Sequence, residues 1–201
     1  MRVLLTGFGP FPGAPFNPSA ALAKALARRR RPALAGIERV VHVFATTYAS
    51  VDRDLPKLFA QKPDIVLMFG VAGRRRQLCV ETRARNAVSL LFPDAGGHRP
   101  LRGVIRLGGP ATLTGNAPFA RLAGAAGTQL SRDAGRYLCN YVYWRALEQA
   151  HGTRPLVQFV HIPPVGTKPR PRRPSKRPPT LAQFLKPAET LLIALIAASR
   201  R

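Results

Sequence analysis

The chain has 201 residues, of which 46% are hydrophobic, and that is long enough for a single domain, residues 1–201, to bury a core of its own. Its net charge of +23 would attract polyanions, but charge by itself gives only non-specific binding and defines no site. The two cysteines form no C-x-x-C pair, which excludes a disulfide framework and a zinc or redox motif and indicates a reducing, cytoplasmic setting.

The first third of the chain alternates strand and helix patterns. "RVLLTGF" predicts a β-strand that ends in a glycine turn, and "NPSAALAKALARRR" predicts a helix with Asn17 as N-cap and Pro18 at its first position. "IERVVHVFAT" is rich in β-branched residues, as strands are, and "SVDRDLPKLFA" has helical spacing with a disruptive Pro56. The unbroken apolar run "PDIVLMFG" suits a strand buried in a parallel sheet.

The rest of the chain resumes this alternation after a long interruption. We predict an irregular stretch from Val71 to Pro118, helices at "FARLAGAA" and through "YVYWRALEQA", a strand at "PLVQFVHI", and a C-terminal helix from near Ala188. This order of elements predicts an α/β fold, a three-layer α/β/α sandwich around a mostly parallel mixed sheet.

A basic, proline-rich stretch, "TKPRPRRPSKRPP" at residues 167–179, precedes the C-terminal helix. Its prolines block regular structure and no acidic residue balances its charges, so we predict a flexible loop within the domain. Because it follows His161 by only a few residues, we expect it beside the functional site. There it would favour acidic peptides and would not read nucleic acid.

No segment of the sequence indicates a membrane partner. The start, "MRVLLTGFGPF", is interrupted by glycine and proline too early for the apolar part of a secretory signal. The late apolar run "LLIALIAA", residues 191–198, is far shorter than the roughly 20 residues that cross a bilayer. We therefore expect a packed helix there.

Cys139 is the first candidate for chemistry, because "GRYLCN" places it just after a glycine turn, at or near the start of a predicted helix. A cysteine is nucleophilic only as its thiolate, which the free N–H groups and the positive dipole end of a helix N-terminus favour. The alternative is a small core residue, the commoner role of a lone intracellular cysteine. The pattern alone leaves both interpretations open.

A cysteine nucleophile needs a histidine partner, and the chain has four histidines. His161 is the best placed, because it ends a predicted strand and sites in open α/β sheets collect at the carboxyl ends of strands. A third group should orient the imidazole, and Glu81 is the acid we favour among the nine in the chain. On spacing alone, His161 could be a core residue and Glu81 part of a surface ion pair.

Four segments resemble the pyroglutamyl peptidase I family, the pyrrolidone carboxyl peptidases. "VLLTGFGPFPGAPFNPS" is similar to its amino-terminal TGF-x-PFGG and NPS signature, and "GVAGRRRQLCVETRARNAV" to its glycine-rich segment with a catalytic glutamate. "DAGRYLCNYVYW" resembles its A-G-x-x-x-C-N segment, and "FVHIP" resembles its histidine motif. The four segments occur in the family's order and span nearly the whole chain.

The resemblance implies a cysteine exopeptidase that removes an N-terminal pyroglutamyl (5-oxoprolyl) residue from peptides and needs no metal or cofactor. It places Cys139 at the nucleophile position, His161 at the general base and Glu81 at the residue that orients the histidine. It also maps Phe8 and Phe11 to the aromatic residues that flank the substrate ring, although either one could be a core residue. A homo-oligomer is left open.

The sequence departs from the family pattern around this predicted site. Arg74 replaces the second glycine after A-G, Leu91 replaces a common arginine, and "ETRARN" keeps only three residues of the family's E-R-V-A-I-N. One alternative is therefore a hydrolase of the same fold with a different N-acyl substrate. Another is an inactive basic relative that binds nucleic acid or another polyanion, although we find no RNA-binding aromatic signature and no zinc finger.

Overall fold

The computed structural model describes residues 1–11, 15–166 and 179–201. Its strands are β1 (Arg2–Phe8), β2 (Glu38–Phe44), β3 (Ile65–Val71), β4 (Cys79–Glu81), β5 (Arg83–Arg85), β6 (Thr112–Thr114), β7 (Gln129–Ser131) and β8 (Leu156–Ile162). Its helices are α1 (Pro18–Ala27), α2 (Tyr48–Ala60), α3 (Phe119–Ala126), α4 (Leu138–Ala150) and α5 (Leu181–Ser199), with a 3-10 turn at Pro32–Leu34.

A six-stranded sheet crosses the centre of the protein in the order β2-β1-β3-β8-β4-β7. Its pairings are parallel except that β4 runs antiparallel to β8. Strands β5 and β6 form a separate antiparallel pair. The prediction of a mostly parallel mixed sheet is therefore confirmed.

Helices cover both faces of this sheet, which confirms the three-layer sandwich. On one face, apolar residues of α1, α3 and α5 pack into a single core cluster with β1, β3 and β8. On the other face, α2 and α4 close a second cluster that contains the fully buried Trp144, Tyr143 and Phe44. Because strands β1, β3 and β8 are covered on both sides, their sequences are nearly continuous apolar runs.

The junction of β1 and α1 shows how the predicted cap works. The Asn17 side chain accepts a hydrogen bond from the Ser19 N–H at 3.1 Å, and Ser19 Oγ accepts one from the Phe8 N–H at 3.0 Å. A Cβ at Gly7 would lie 2.6 Å from the Ser19 carbonyl, so the helix start can approach the strand this closely only over a glycine.

Helix α5 is the one helix, within the described ranges, that is long and apolar enough to cross a membrane by length and composition alone. Its apolar side chains, including Leu191, Leu192 and Leu195, are buried in the core of the domain. Glu189 on the same helix accepts two hydrogen bonds from Arg29, at 2.9 and 3.2 Å, just after α1. These contacts confirm the prediction of a packed helix.

Three local predictions were wrong. The stretch from Val71 to Pro118 contains β4, β5 and β6, whose three residues each are too few to show a periodicity. Helix α2 continues through Pro56 and buries Val51 and Leu55. Helix α5 begins at Leu181, well before Ala188, because Thr180 and Gln183 form a capping box there.

The basic, proline-rich stretch predicted at residues 167–179 lies outside the described residues, apart from Pro179. A hydrogen bond from the Gly166 N–H to the Pro179 carbonyl, at 3.3 Å, joins the residue before the stretch to its last residue. Gly166 and Pro179 are therefore neighbours in the fold.

Candidate active site

Cys139 is the second residue of α4, as the sequence pattern predicts. The turn before the helix contains Gly135 with φ of 83°, in the left-handed region that favours glycine. Among the described residues, no side chain caps this end of the helix, so N–H groups of the first turn are free to stabilise an anion. Cys139 is half-buried and is a free thiol.

His161 lies near the end of β8 and is buried, and its Nδ1 is 2.8 Å from Glu81 Oε1. Burial by itself lowers the pKa of His161, but hydrogen bonds with Cys139 and Glu81 outweigh burial and raise this pKa to about 9. The imidazole is therefore a cation near neutral pH, with a thiol group on one side and a carboxylate on the other. The structure brings the three predicted residues together.

Gly70 allows the sulfur of Cys139 to approach the sheet. It lies opposite His161 in the β3–β8 register. A Cβ at position 70 would be 2.7 Å from Cys139 Sγ and 2.6 Å from Phe159 Cζ. The sulfur therefore occupies space beside His161 that only a glycine at position 70 leaves free.

The backbone of Glu81 is held by two buried polar residues that sequence reasoning missed. The Tyr143 hydroxyl and Gln158 Nε2 both donate to the Glu81 carbonyl, at 3.0 and 2.9 Å. Gln158 carried a signal that could have found it, since it is the one amide inside the apolar run "PLVQFVHI". A buried amide in such a strand needs a polar partner, and here that partner is next to the predicted triad.

Asn140, directly after Cys139, joins the start of α4 to the end of β5 and the loop that follows it. Its side chain accepts from the Arg85 N–H at 2.8 Å and donates to the carbonyls of Arg85 and Ala87 at 2.8 and 2.9 Å. Asn140, the asparagine of the A-G-x-x-x-C-N segment, is thus buried, and its side-chain oxygen and nitrogen both form hydrogen bonds with backbone groups. It fixes the helix turn that carries the sulfur.

Cys79 also lies close to His161, as its partner in the β4–β8 register, but in a different setting. It is part of strand β4 and is 1% exposed. Burial raises the pKa of its thiol. Cys79 therefore lacks both the access and the helix end that favour a thiolate.

The two predicted ring-binding phenylalanines have different surroundings. Phe8 is buried in the core, with its ring centroid 5.8 Å from that of Phe44. Phe11 is 36% exposed and precedes residues 12–14, which lie outside the described ranges. Phe8 belongs to the apolar cluster against which Cys139 packs, and the role of both rings in binding the substrate stays a prediction.

Two departures from the family pattern, Arg74 and Leu91, lie at the surface, whereas the changed positions within "ETRARN" are half-buried. Arg74 is exposed in the turn after β3, and Leu91 is 74% exposed. Asn86 holds a loop together, because its side chain accepts hydrogen bonds from the N–H groups of Ile105 and Arg106 at 2.9 and 2.8 Å.

Among the described residues, no group of three His, Cys, Asp or Glu side chains could hold a metal ion.

Chemically, this arrangement can generate a thiolate, deliver a proton from an imidazolium and keep that imidazolium oriented with a buried carboxylate. On an α/β sandwich, with the cysteine at a helix start and the histidine near a strand end, these features define the class of cysteine hydrolases.

The comparison with known proteins gives the particular family. The family model described as pyroglutamyl peptidase matches residues 1–200. The pyrrolidone-carboxylate peptidase of Gloeobacter violaceus is 34% identical over 203 residues, which cover 97% of this chain and 97% of that protein. Pyrrolidone-carboxylate peptidase 1 of Ralstonia nicotianae is 30% identical, with coverage of 94% and 92%. This chain belongs to the pyroglutamyl peptidase family.

Solved structures of the same family share the fold. The pyroglutamyl peptidase I of Bacillus amyloliquefaciens superposes with a TM-score of 0.83 at 26% identity, covering 98% of both chains. The pyrrolidone carboxyl peptidase of Thermococcus litoralis gives a TM-score of 0.86 at 24% identity, covering 98% of this chain and 93% of that one. At that identity the second likeness shows the fold alone.

Proposed function

We propose that this protein is a cysteine exopeptidase that removes an N-terminal pyroglutamyl residue from peptides. The observation that carries the proposal is the meeting of Cys139, His161 and Glu81, with 2.8 Å between His161 Nδ1 and Glu81 Oε1, in a chain of this family. The inactive, polyanion-binding alternative has no comparable geometric support.

In the proposed reaction, the Cys139 thiolate attacks the carbonyl carbon that joins the lactam residue to the next residue. The C–N bond breaks as His161 gives its proton to the departing amine, and a thioester of Cys139 remains. His161 then takes a proton from water, whose oxygen attacks the thioester and releases pyroglutamate. The sulfur leaves as the thiolate beside the imidazolium, so the starting charges are restored.

Glu81 and the start of α4 supply the supporting electrostatics. The buried carboxylate of Glu81 contacts Nδ1 of His161 and is proposed to fix the ring, which leaves the other ring nitrogen for proton transfer with Cys139. Backbone N–H groups near Cys139, free at the uncapped helix start, are proposed to stabilise the oxyanion of the tetrahedral intermediates.

The substrate class follows from the chemistry of the pyroglutamyl ring. This ring is flat, neutral and without a free α-amine, so Phe8 and Phe11 are proposed to flank it while hydrogen bonds read its amide. A residue without the ring would leave buried polar groups unpaired, which makes selection strict at this residue and loose beyond it.

The setting of the enzyme is also a proposal. Both cysteines are free thiols, which supports a reducing, cytoplasmic location and a thiol-dependent activity. That this activity needs no metal or cofactor is part of the proposal. The family match over residues 1–200 supports treating the chain as one domain.

The decisive experiment compares hydrolysis of a pyroglutamyl arylamide with that of other N-blocked arylamides. We expect selective cleavage of the pyroglutamyl compound, loss of activity after thiol alkylation and no effect of chelators. Mass spectrometry of the alkylated protein identifies the modified cysteine. Activity that persists after complete alkylation of Cys139 would contradict the mechanism, and preference for another N-acyl group would favour the alternative substrate.

A further inference from the structure

Arg75 is a charged residue beside the site for which the proposed mechanism has no role. It lies in the turn after β3, where its N–H donates to the Ala72 carbonyl at 3.0 Å. Its Nη2 is 3.6 Å from Glu81 Oε1, the same oxygen that lies 2.8 Å from His161 Nδ1. Arg75 and His161 therefore share one carboxylate oxygen.

Contacts beyond Glu81 hold the guanidinium of Arg75 in place. Its Nη2 donates to Ser131 Oγ at 2.6 Å and to the Asp133 carbonyl at 3.3 Å. Ser131 is paired with Glu81 in the β4–β7 register. Although the Arg75 side chain is 33% exposed, its charge is therefore fixed next to the carboxylate.

We propose that Arg75 is a positioning residue, which anchors the Glu81 carboxylate and shares its negative charge with His161. This inference rests on the proposed function, because it concerns how Glu81 orients the base. Within the described residues, Glu81 Oε2 is buried without a hydrogen-bond partner, so His161 and Arg75 hold the carboxylate through Oε1 alone. Without Arg75, the full charge of Glu81 would act on the imidazole.

The groups that face His161 define the expected direction of the effect. Glu81 on β4 and Cys139 on α4 both favour the imidazolium. Cys79, opposite His161 on β4, is a buried thiol whose own pKa is raised by burial, and it adds no charge at neutral pH. Arg75 supplies a positive charge that opposes the imidazolium through the carboxylate they share.

The experiment removes this charge while keeping a hydrogen-bond donor, in the variant Arg75→Gln. The pKa of His161, followed by NMR on protein with labelled histidines, should rise by about 0.5 to 1, because a nearby like charge on a partly exposed side chain is lost. The apparent pKa of the alkaline limb in the pH profile of kcat/KM, measured with a pyroglutamyl arylamide, should increase by the same amount, because this limb reports loss of the imidazolium proton. Arg75→Lys keeps the positive charge, so the pKa of His161 in this variant should stay close to its value in the unmodified protein.

Arg76→Gln is the matched control, because Arg76 is exposed in the same turn and its loss changes the net charge equally. An increase in the pKa of His161 that occurs in Arg75→Gln but not in Arg76→Gln supports the inference. An equal increase in both variants, or no increase in either, overturns it. If Arg75→Gln does not fold, Arg75→Met removes the same charge and gives the same readout. The NMR titration needs no turnover, so absence of peptidase activity would contradict the proposed function while the titration still decides the role of Arg75.

Discussion

The first turn of α4 and the strand β4 each bring a cysteine close to His161, but in opposite surroundings. Cys139 is half-buried at an uncapped helix start, and its interaction with His161 raises the pKa of the histidine. Cys79 is 1% exposed, and its thiol donates to the Gln77 carbonyl at 3.6 Å. Closeness to a histidine therefore does not distinguish the two cysteines, whereas exposure and a helix end that stabilises an anion favour Cys139 as the proposed nucleophile.

The largest effect is expected from substitutions of Cys139 at the start of α4 and of its partner His161. Cys139→Ser and His161→Ala should each lower kcat/KM for a pyroglutamyl arylamide by about 10³-fold or more, because the proposed nucleophile and its proposed proton donor act as a unit. Steady-state kinetics on variants with unchanged circular dichroism would check this. A His161→Ala variant with the rate of the unmodified protein would refute the assignment.

Glu81→Gln tests the carboxylate that links β4 to His161. We expect a loss of about 10²-fold in kcat, smaller than for the nucleophile, because a glutamine can keep part of the orientation but not the charge. The pKa of His161 should fall, since the carboxylate that favours the imidazolium is removed. A titration of His161 that Glu81→Gln leaves unchanged would show that the pair does not couple.

Gly70→Ala reduces the space available to the Cys139 sulfur and to the ring of Phe159. The added Cβ would lie 2.7 Å from Cys139 Sγ, so sulfur or helix must move and kcat should fall about 10-fold. Overpacking should also cost about 1–3 kcal/mol in the free energy of unfolding. Gly73→Ala is the control, because a Cβ there meets no atom within 4 Å. Equal kinetics for the two variants would contradict the close approach.

The pH dependence of the unmodified enzyme tests the charge state of His161. Its pKa is raised to about 9, so the imidazolium is present at neutral pH and is lost as the pH rises through that value. We therefore expect kcat/KM to fall several-fold between about pH 8 and pH 10. A profile that falls already near pH 6.5, the ordinary value for histidine, would contradict the coupling with Cys139 and Glu81.

The smallest effect is expected from the strand side of the comparison. Cys79→Ser should change kcat/KM by less than about two-fold, because this thiol has no part in the proposed chemistry. Burying a hydroxyl in its place should lower the free energy of unfolding by about 1–3 kcal/mol, measured by urea unfolding. A large kinetic loss with unchanged stability would mean that the two cysteines are functionally coupled.

The sequence by itself determined much of this protein. The long apolar or amphipathic segments, such as those of β1, β3, β8 and α3, show their periodicity locally, so their positions and the α/β class could be predicted. Residues Cys139, His161 and Glu81 could be proposed from helix-start and strand-end patterns and from family resemblance. The family resemblance was needed because the chemistry of single residues did not decide whether they are catalytic or ordinary core and surface residues.

Tertiary structure decided what joins these residues. Glu81 and His161 are far apart in sequence and meet at 2.8 Å because β4, too short to be seen as a strand, runs antiparallel beside β8. The space that Gly70 leaves for the sulfur, and the hydrogen bond from Gln158 to the Glu81 carbonyl, likewise arise between distant segments. Local patterns carry no information on such contacts, because packing of the whole sheet and its helices fixes them.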